Sequence, residues 1–321
     1  MAEIDILVAA YNGDRFIAEQ IESLLAQTFQ DIRILIRDDG STDKTPEIIE
    51  GYTQKYPDKI EIVHDNVVCK SPAKNFMELL RHAEADYVMF CDQDDIWLPD
   101  KVQASLRHMK EAERKNPDLP VLVFSGMKLV DADLNSLGRL MCVDVPERRY
   151  TFRELLPCNC AAGCTYIMNR TAYSGLGEYE DGIVMHDWWA MLYASAFGVI
   201  EHIPSALMLY RQHENNAIGA GSDKYKRLRG VKKFVHNLVN RPIGEFFEAR
   251  ERYRAEKKCM ELFVSRYYDM LSPERQKQLD DHMQLFGKSR IRRFIAVWKL
   301  DYMFNKGAFR KMVMAIKSFM F

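Results

Sequence analysis

The feature that most constrains this chain is an alternation across its first 130 residues: a short apolar or β-branched run, a polar turn, then an amphipathic segment. Ile4–Ala10 reads as a buried strand broken at Asn12-Gly13, after which Phe16, Ile17, Ile21, Leu24 and Leu25 recur at helical spacing. Ile32–Ile36 predicts a second strand. An Asp-Asp-Gly-Ser-Thr-Asp turn follows, in which Ser41 or Thr42 can cap a helix running through Tyr52. Ile60–Val63 is a third strand, Pro72–His82 a helix, and Tyr87–Cys91 a fourth strand that runs into a cluster of acids. Pro99 suits the first turn of a helix reaching Arg114. Such alternation with short connections predicts an α/β fold, Rossmann-like, with a mostly parallel central sheet and helices on both faces.

In sheets of this kind ligands sit outside the carboxyl ends of the strands. Three polar signals fall at such ends: Tyr11-Asn12, Asp38-Asp39 and Asp92–Asp95. Beyond residue 120 the pattern is mixed, with short strands near Val121–Phe124, Thr165–Met168 and Leu207–Tyr210 and a helix starting near Asp187. After Ser222 the chain turns helical and basic, which divides it into a front domain, 1–222, and a C-terminal region, 223–321. The net charge of −1 conceals this division. From Asp223 onward lie 24 of the 45 Lys and Arg but only 11 of the 46 Asp and Glu, so a basic rear follows an acidic front. Two parts with different partners are implied, the rear facing anionic lipid or nucleic acid. The last thirty residues set Ile291, Phe294, Trp298, Tyr302, Ile316 and Phe319 among Arg and Lys, as in an interfacial amphipathic helix pair.

Composition removes several classes. With 47% hydrophobic and 28% charged residues the chain is neither disordered nor fibrous. It opens without the basic and apolar regions of a secretory signal, and no stretch approaches the roughly 18 apolar residues that span a bilayer. Seven cysteines, an odd count in a long chain, suggest a reducing cytoplasm rather than a disulfide framework. Cys158-x-Cys160-x₃-Cys164 lacks the second pair a zinc site needs, and no P-loop or dinucleotide fingerprint is present.

Cys91-Asp92-Gln93-Asp94-Asp95-Ile96-Trp97 follows an apolar strand directly. Three carboxylates in four residues repel one another unless a cation shares them, and hard oxygen ligands fit Mg²⁺ or Mn²⁺ completed by phosphate oxygens. At Asp38-Asp39 a carboxylate can accept the imide N–H of a pyrimidine, and Tyr11 can offer a ring for stacking, although the same turn could be a simple helix cap. Asp187 in His-Asp-Trp-Trp reads as a general base for an acceptor hydroxyl, or as an acid favoured by a helix dipole alone. In Tyr210-Arg211-Gln212-His213, Arg211 is a diphosphate contact and His213 a metal ligand or diphosphate contact.

These motifs together resemble family 2 glycosyltransferases of the GT-A fold, over roughly residues 3–220. The carriers are Ile-Leu-Val-Ala-Ala-Tyr-Asn-Gly, Ile-Arg-Asp-Asp-Gly-Ser-Thr-Asp and Phe-Cys-Asp-Gln-Asp-Asp-Ile-Trp-Leu-Pro-Asp. Met-His-Asp-Trp-Trp and Leu-Tyr-Arg-Gln-His-Glu-Asn-Asn narrow the resemblance to bacterial rhamnosyltransferases of cell-wall and capsular polysaccharide. The resemblance implies that Tyr11 and Asp39 hold the base with Asp38 beside them. It implies further that Asp92 meets ribose or metal, Asp94 is the principal Mn²⁺ or Mg²⁺ ligand, Asp187 is the catalytic base and His213 a diphosphate or metal contact. The activity implied is inverting transfer of a sugar from a dTDP- or UDP-linked donor to a glycan or lipid-linked glycan at the inner membrane surface, with no nucleic-acid partner. The apolar tail residues serve a homodimer as well as a membrane. Rival readings are a sugar nucleotidyltransferase, for which a Gly-rich, basic triphosphate loop is missing, and a non-catalytic polyanion-binding protein. One segment departs from the family pattern: after the third strand, where an Asn-x-Gly turn is common, this chain reads Asn66-Val67-Val68-Cys69-Lys70-Ser71.

Overall fold

The computed structural model describes residues 2–65, 67–213 and 243–287. They fall into two compact units that divide after Arg211. In the first unit nine strands form one mixed sheet with the order β3-β2-β1-β4-β8-β6-β9-β5, and β7 pairs with β6 off that path. The strands are β1 (Ile4–Ala10), β2 (Ile32–Asp38), β3 (Ile60–Ile62), β4 (Tyr87–Asp92), β5 (Ile96–Trp97), β6 (Val121–Val130), β7 (Ser136–Met141), β8 (Tyr166–Asn169) and β9 (Val199–Arg211).

The first four strands in chain order are parallel neighbours, and the centres of β1, β2 and β4 are buried, which accounts for near-continuous apolar runs rather than alternation, whereas β3 at the sheet edge exposes Glu61. Their register decides where the turns meet. Ala10 lies beside Asp38 and Ala9 beside Asp92, so the polar turns after β1, β2 and β4 line one edge. Past β4 the sheet changes character: β8 runs antiparallel to both β4 and β6, and β5 antiparallel to β9. The β5–β9 pair sets Ile96 opposite Leu209 and Trp97 opposite Met208, which carries the end of β9 back to the acidic turn.

The helices follow the apolar spacing closely: α1 (Ile17–Leu25), α2 (Thr45–Lys55), α3 (Pro72–Leu80), α4 (Lys101–Lys115), α5 (Phe152–Leu155), α6 (Arg170–Ser174) and α7 (His186–Phe197). Ser71 caps α3 by accepting from Lys74 N. The expected cap of α2 is absent. The helix begins at Thr45, whose N–H is taken by Asp43 Oδ1 at 2.9 Å, while Ser41 Oγ turns back to Asp38 and Asn12. Short runs also hid the length of β6 and β9, and β7 lies exposed along its whole length with no apolar alternation to reveal it.

The second unit contains two described helices, Ile243–Tyr267 and Pro273–Gly287. Met260, Phe263, Leu271 and Leu279 are buried within it, and His282 meets Phe286 edge-on at 5.4 Å. The basic stretch 214–242 and the aromatic, basic residues 288–321, on which the membrane and dimer expectations rest, lie outside the described residues. Among the described residues no helix is long and apolar enough to cross a membrane.

Candidate active site

At the edge where β1, β2 and β4 end, the connecting turns are laced together by side chains. Gln93 closes a reciprocal pair with Tyr11: Tyr11 N donates to Gln93 Oε1 at 2.8 Å, and Gln93 Nε2 donates to Tyr11 O at 2.9 Å. Asn12, in the left-handed region at φ 45°, donates its N–H to Ser41 Oγ and accepts from Thr42 N at 2.9 Å. Gly13 N donates to Thr45 Oγ1, and a Cβ on Gly13 would stand 2.2 Å from Gln93 Oε1. Glycine is therefore what lets the first turn sit on the acidic one. Tyr11 itself is 56% exposed.

The two acids after β2 have different surroundings. Asp38 accepts from Gly40 N, Ser41 N at 2.8 Å and the Ser41 hydroxyl, so it shapes its own turn. Asp39 is buried; its Oδ1 accepts from Cys69 N at 2.5 Å and its Oδ2 from Lys70 N at 2.7 Å. Arg37, buried beneath them, pairs with Asp65 through Nε at 2.8 Å and Nη2 at 2.7 Å, with Asn75 Oδ1 at 2.9 Å and with Asp39 at 3.4 Å. A carboxylate offers about four acceptor sites. Two loop amides and Arg37 occupy three at Asp39, and the Cys69 thiol, a weak donor, bonds the same carboxylate.

The acidic turn itself is a site of stored repulsion. Burial pushes the Asp92 carboxyl up to about 7, with Asp94 and Asp187 adding to the shift. Asp95 is fully buried and is pushed well above the ordinary range by burial, then by Asp94 and Asp92. Its Oδ1 accepts from Arg211 N at 3.1 Å, and its Oδ2 has no hydrogen-bond partner among the described residues. Lys101, also fully buried, supplies a nearby positive charge; its Nζ donates to Cys164 O at 2.5 Å and lies 3.8 Å from the Trp97 ring. Burial lowers that amine to about 8.

Asp92, Asp95 and Cys164 each bring a ligand atom to within 4.8 Å of the others. The carboxylates suit a hard divalent cation such as Mn²⁺ or Mg²⁺, whereas a thiol suits softer ions, and the orphaned Asp95 oxygen marks unspent acceptor capacity. Cys164 is better placed as the donor it already is, hydrogen-bonded to Asp92. Asp94, partly exposed on the same turn, is not one of that trio.

Asp187 stands in the first turn of α7, buried, with Oδ1 accepting from Trp188 N at 2.6 Å. The Gly163 amide and the Asn159 side chain also bond it, and burial outweighs them to raise it to about 6. Gly163 is where the loop meets α7: a Cβ there would lie 2.7 Å from His186 Nε2 and 3.1 Å from Asp187 Cβ. His186 stacks on Phe76 at 4.0 Å, and burial drives its pKa to about 3, so a neutral imidazole backs the acid.

Arg211 is 2% exposed. Its Nε donates to Asp94 O at 2.9 Å, its Nη1 to Ala132 O at 2.8 Å, and its Nη2 pairs with Glu19 at 2.5 Å. Expected from sequence as a diphosphate contact, it braces the acidic turn in this structure. His213, partly exposed, falls past the division after Arg211, in the second unit. Sequence reasoning passed over Gln93, Lys101, Asn159, Gly163 and Arg37, and weighed Cys164 only as part of a zinc pattern. Gln93 alone carried a signal, as the one uncharged residue inside the acidic run.

Residues 5–172 match the family described as glycosyl transferase family 2. Over 262 residues the chain is 31% identical to the dTDP-rhamnosyl transferase RfbG of Shigella flexneri, covering 75% of this chain and 86% of that protein. Two solved structures resemble it in fold. S. aureus TarS in complex with UDP-GlcNAc has a TM-score of 0.52 at 17% identity, over 99% of this chain and 90% of that one. The mannosyltransferase PcManGT from Pyrobaculum calidifontis, in complex with GDP-Man and Mn²⁺, has a TM-score of 0.51 at 15% identity, over 100% and 86%. Both agree with the α/β GT-A arrangement expected for the sheet.

Proposed function

The chain belongs to glycosyl transferase family 2, and from that premise we propose that it is an inverting, metal-dependent enzyme moving L-rhamnose from a nucleoside-diphosphate donor to a hydroxyl of a growing, lipid-linked polysaccharide. The observation that carries this reading is a single loop serving two acids. Asn159 and the Gly163 amide hold Asp187, and the next residue, Cys164, bonds Asp92. A putting-together of this kind gives a base and a cation site a fixed separation, which positions an acceptor hydroxyl against a donor.

In this reading Tyr11 stacks on the base and Asp39 takes its imide N–H. Asp92 and Asp94 hold the cation, with Asp95 and Arg211 keeping their turn in shape. A bound Mn²⁺ or Mg²⁺ supplies charge neutralisation to the departing diphosphate. Asp187, raised to about 6 by burial, is a stronger base than a solvated carboxylate yet still ionised at neutral pH. It draws the proton from the acceptor hydroxyl as the sugar's anomeric carbon gains oxocarbenium character, on the face opposite the leaving group. The rhamnose assignment leans on the Shigella flexneri relative.

The division into a catalytic part, 1–222, and a basic part, 223–321, belongs to the same proposal: the second docks the enzyme on the cytoplasmic face of the membrane, each Lys or Arg near anionic lipid contributing roughly 1 kcal/mol. His213, near the end of the first part, is carried in the same proposal as a diphosphate or metal contact.

Incubation of the full chain with a panel of nucleoside-diphosphate sugars and Mn²⁺, scored for hydrolysis and for protection from thermal unfolding, tests the donor. Activity with dTDP-rhamnose is expected. Selective turnover of a purine-linked sugar would defeat the base and donor assignments. Flotation with anionic and with neutral vesicles tests the membrane, and equal recovery from both would remove the electrostatic docking.

A further inference from the structure

Asp65 and residues 67–70, where the sequence departs from the family pattern, are fastened from three sides. Asp65 takes two donors of Arg37 and the Val67 amide at 3.0 Å; Arg37 Nη2 also reaches Val67 O; Asp39 holds the amides of Cys69 and Lys70. Lys70 sits at φ 53°, in the left-handed region. Beside the exposed Asp65 and Lys70, two apolar side chains of the segment face outward: Val67 is 39% and Val68 57% exposed. A scattered surface valine needs no explanation. Val68 lies between bonded neighbours, and its Cγ2 is 4.0 Å from where a Cβ on Gly40 would stand, against the turn that begins with Asp39.

Asp39 is the group that the reading above gives to the imide N–H, and the present inference rests on that reading. Uracil and thymine share this edge, so a carboxylate there accepts from both alike. They differ only in the 5-methyl group, one ring atom beyond the carbonyl that flanks the imide. An aliphatic wall next to the imide acceptor is what distinguishes them.

We propose that Val68 is a specificity-determining residue that packs on the thymine methyl group and makes the donor dTDP-linked rather than UDP-linked. Burying one methyl group is worth about a fourfold to tenfold preference. The segment is pinned through its backbone, so truncating the exposed Val68 side chain leaves the pinning bonds intact.

The test is calorimetric titration of dTDP and of dUDP, which differ only in the methyl group, each with Mn²⁺, into the full-length wild type and Val68→Ala, with melting temperatures compared to check folding. The wild type is expected to bind dTDP about fourfold to tenfold tighter than dUDP. Val68→Ala should lose most of that ratio through weaker dTDP binding, with dUDP affinity unchanged. Equal binding of the two nucleotides by the wild type, or an unaltered ratio in the variant, overturns the assignment to Val68 while leaving the pyrimidine site standing. Binding of neither pyrimidine nucleotide, with a purine nucleotide bound instead, overturns the site reading and the role of Val68 with it.

Discussion

The side-chain amide of Gln93 pairs with the backbone of Tyr11 as a neighbouring strand residue would, donating at 2.9 Å and accepting at 2.8 Å. That pair stitches the end of β1 to the acidic turn and lies over Gly13, which has no side chain to obstruct it. Gln93→Leu removes both bonds. A net loss of about 1–2 kcal/mol is expected in urea unfolding at an unchanged m value, together with the weaker nucleotide binding that the proposed roles of Tyr11 and the acidic turn require once their common anchor is lost.

Asp94→Ala should weaken nucleotide binding in the presence of Mn²⁺ and leave the metal-free binding unchanged, as measured by calorimetry with and without the ion. Identical affinities for wild type and variant under both conditions would remove Asp94 from cation binding.

Asp187→Asn keeps the size and the helix-start position of the side chain but cannot take a proton. Transfer should fall by about 10²–10⁴-fold, with dissociation constants for dTDP and UDP within experimental error of wild type. Near-normal turnover in that variant would mean that the base lies elsewhere.

Gly163→Ala acts on the same acid from the other side. Its Cβ would meet His186 Nε2 at 2.7 Å and Asp187 Cβ at 3.1 Å, so α7 and the loop must move apart. Displacement of the base by a fraction of an ångström should lower kcat by up to about 10²-fold with little change in nucleotide affinity. Single-turnover kinetics alongside binding separates the two effects.

Burial raises Asp187 from 3.8 to about 6, and this gives two pH effects of defined sign. Only the ionised form acts as base, so kcat/KM should climb tenfold per pH unit up to about 6 and level above it, a limb that Asp187→Asn abolishes. Folding responds oppositely. Between about 4 and 6 the folded chain holds a proton there that the unfolded chain has lost, so this group's contribution to stability falls as pH rises through that window. Urea midpoints of wild type and Asp187→Asn across pH 4–7 provide the check.

Much of this site was legible in the chain. Apolar runs followed by polar turns located β1, β2 and β4, because strands buried on both faces must be apolar throughout and ligand-facing turns need not be. Asp92, Asp94 and Asp187 could be singled out because clustered or helix-start acids without basic neighbours demand a reason. Arg211 was visible only as part of a base-rich run after the last strand; the β5–β9 pairing is what reveals its bonds to Asp94, Asp95 and Glu19.

What the amino-acid order determined by itself is periodicity and chemical kind: which segments are strands or helices, and which residues bring carboxylates, rings and cations. Distances between those groups were decided by tertiary structure alone. The parallel register put Ala9 beside Asp92 and Ala10 beside Asp38, and the antiparallel return of β8 delivered the Asn159–Cys164 loop to two acids at once. Gly163 and Lys101 show why: one matters for the space it leaves, the other for a charge stranded among distant residues, and neither property exists until the chain has folded.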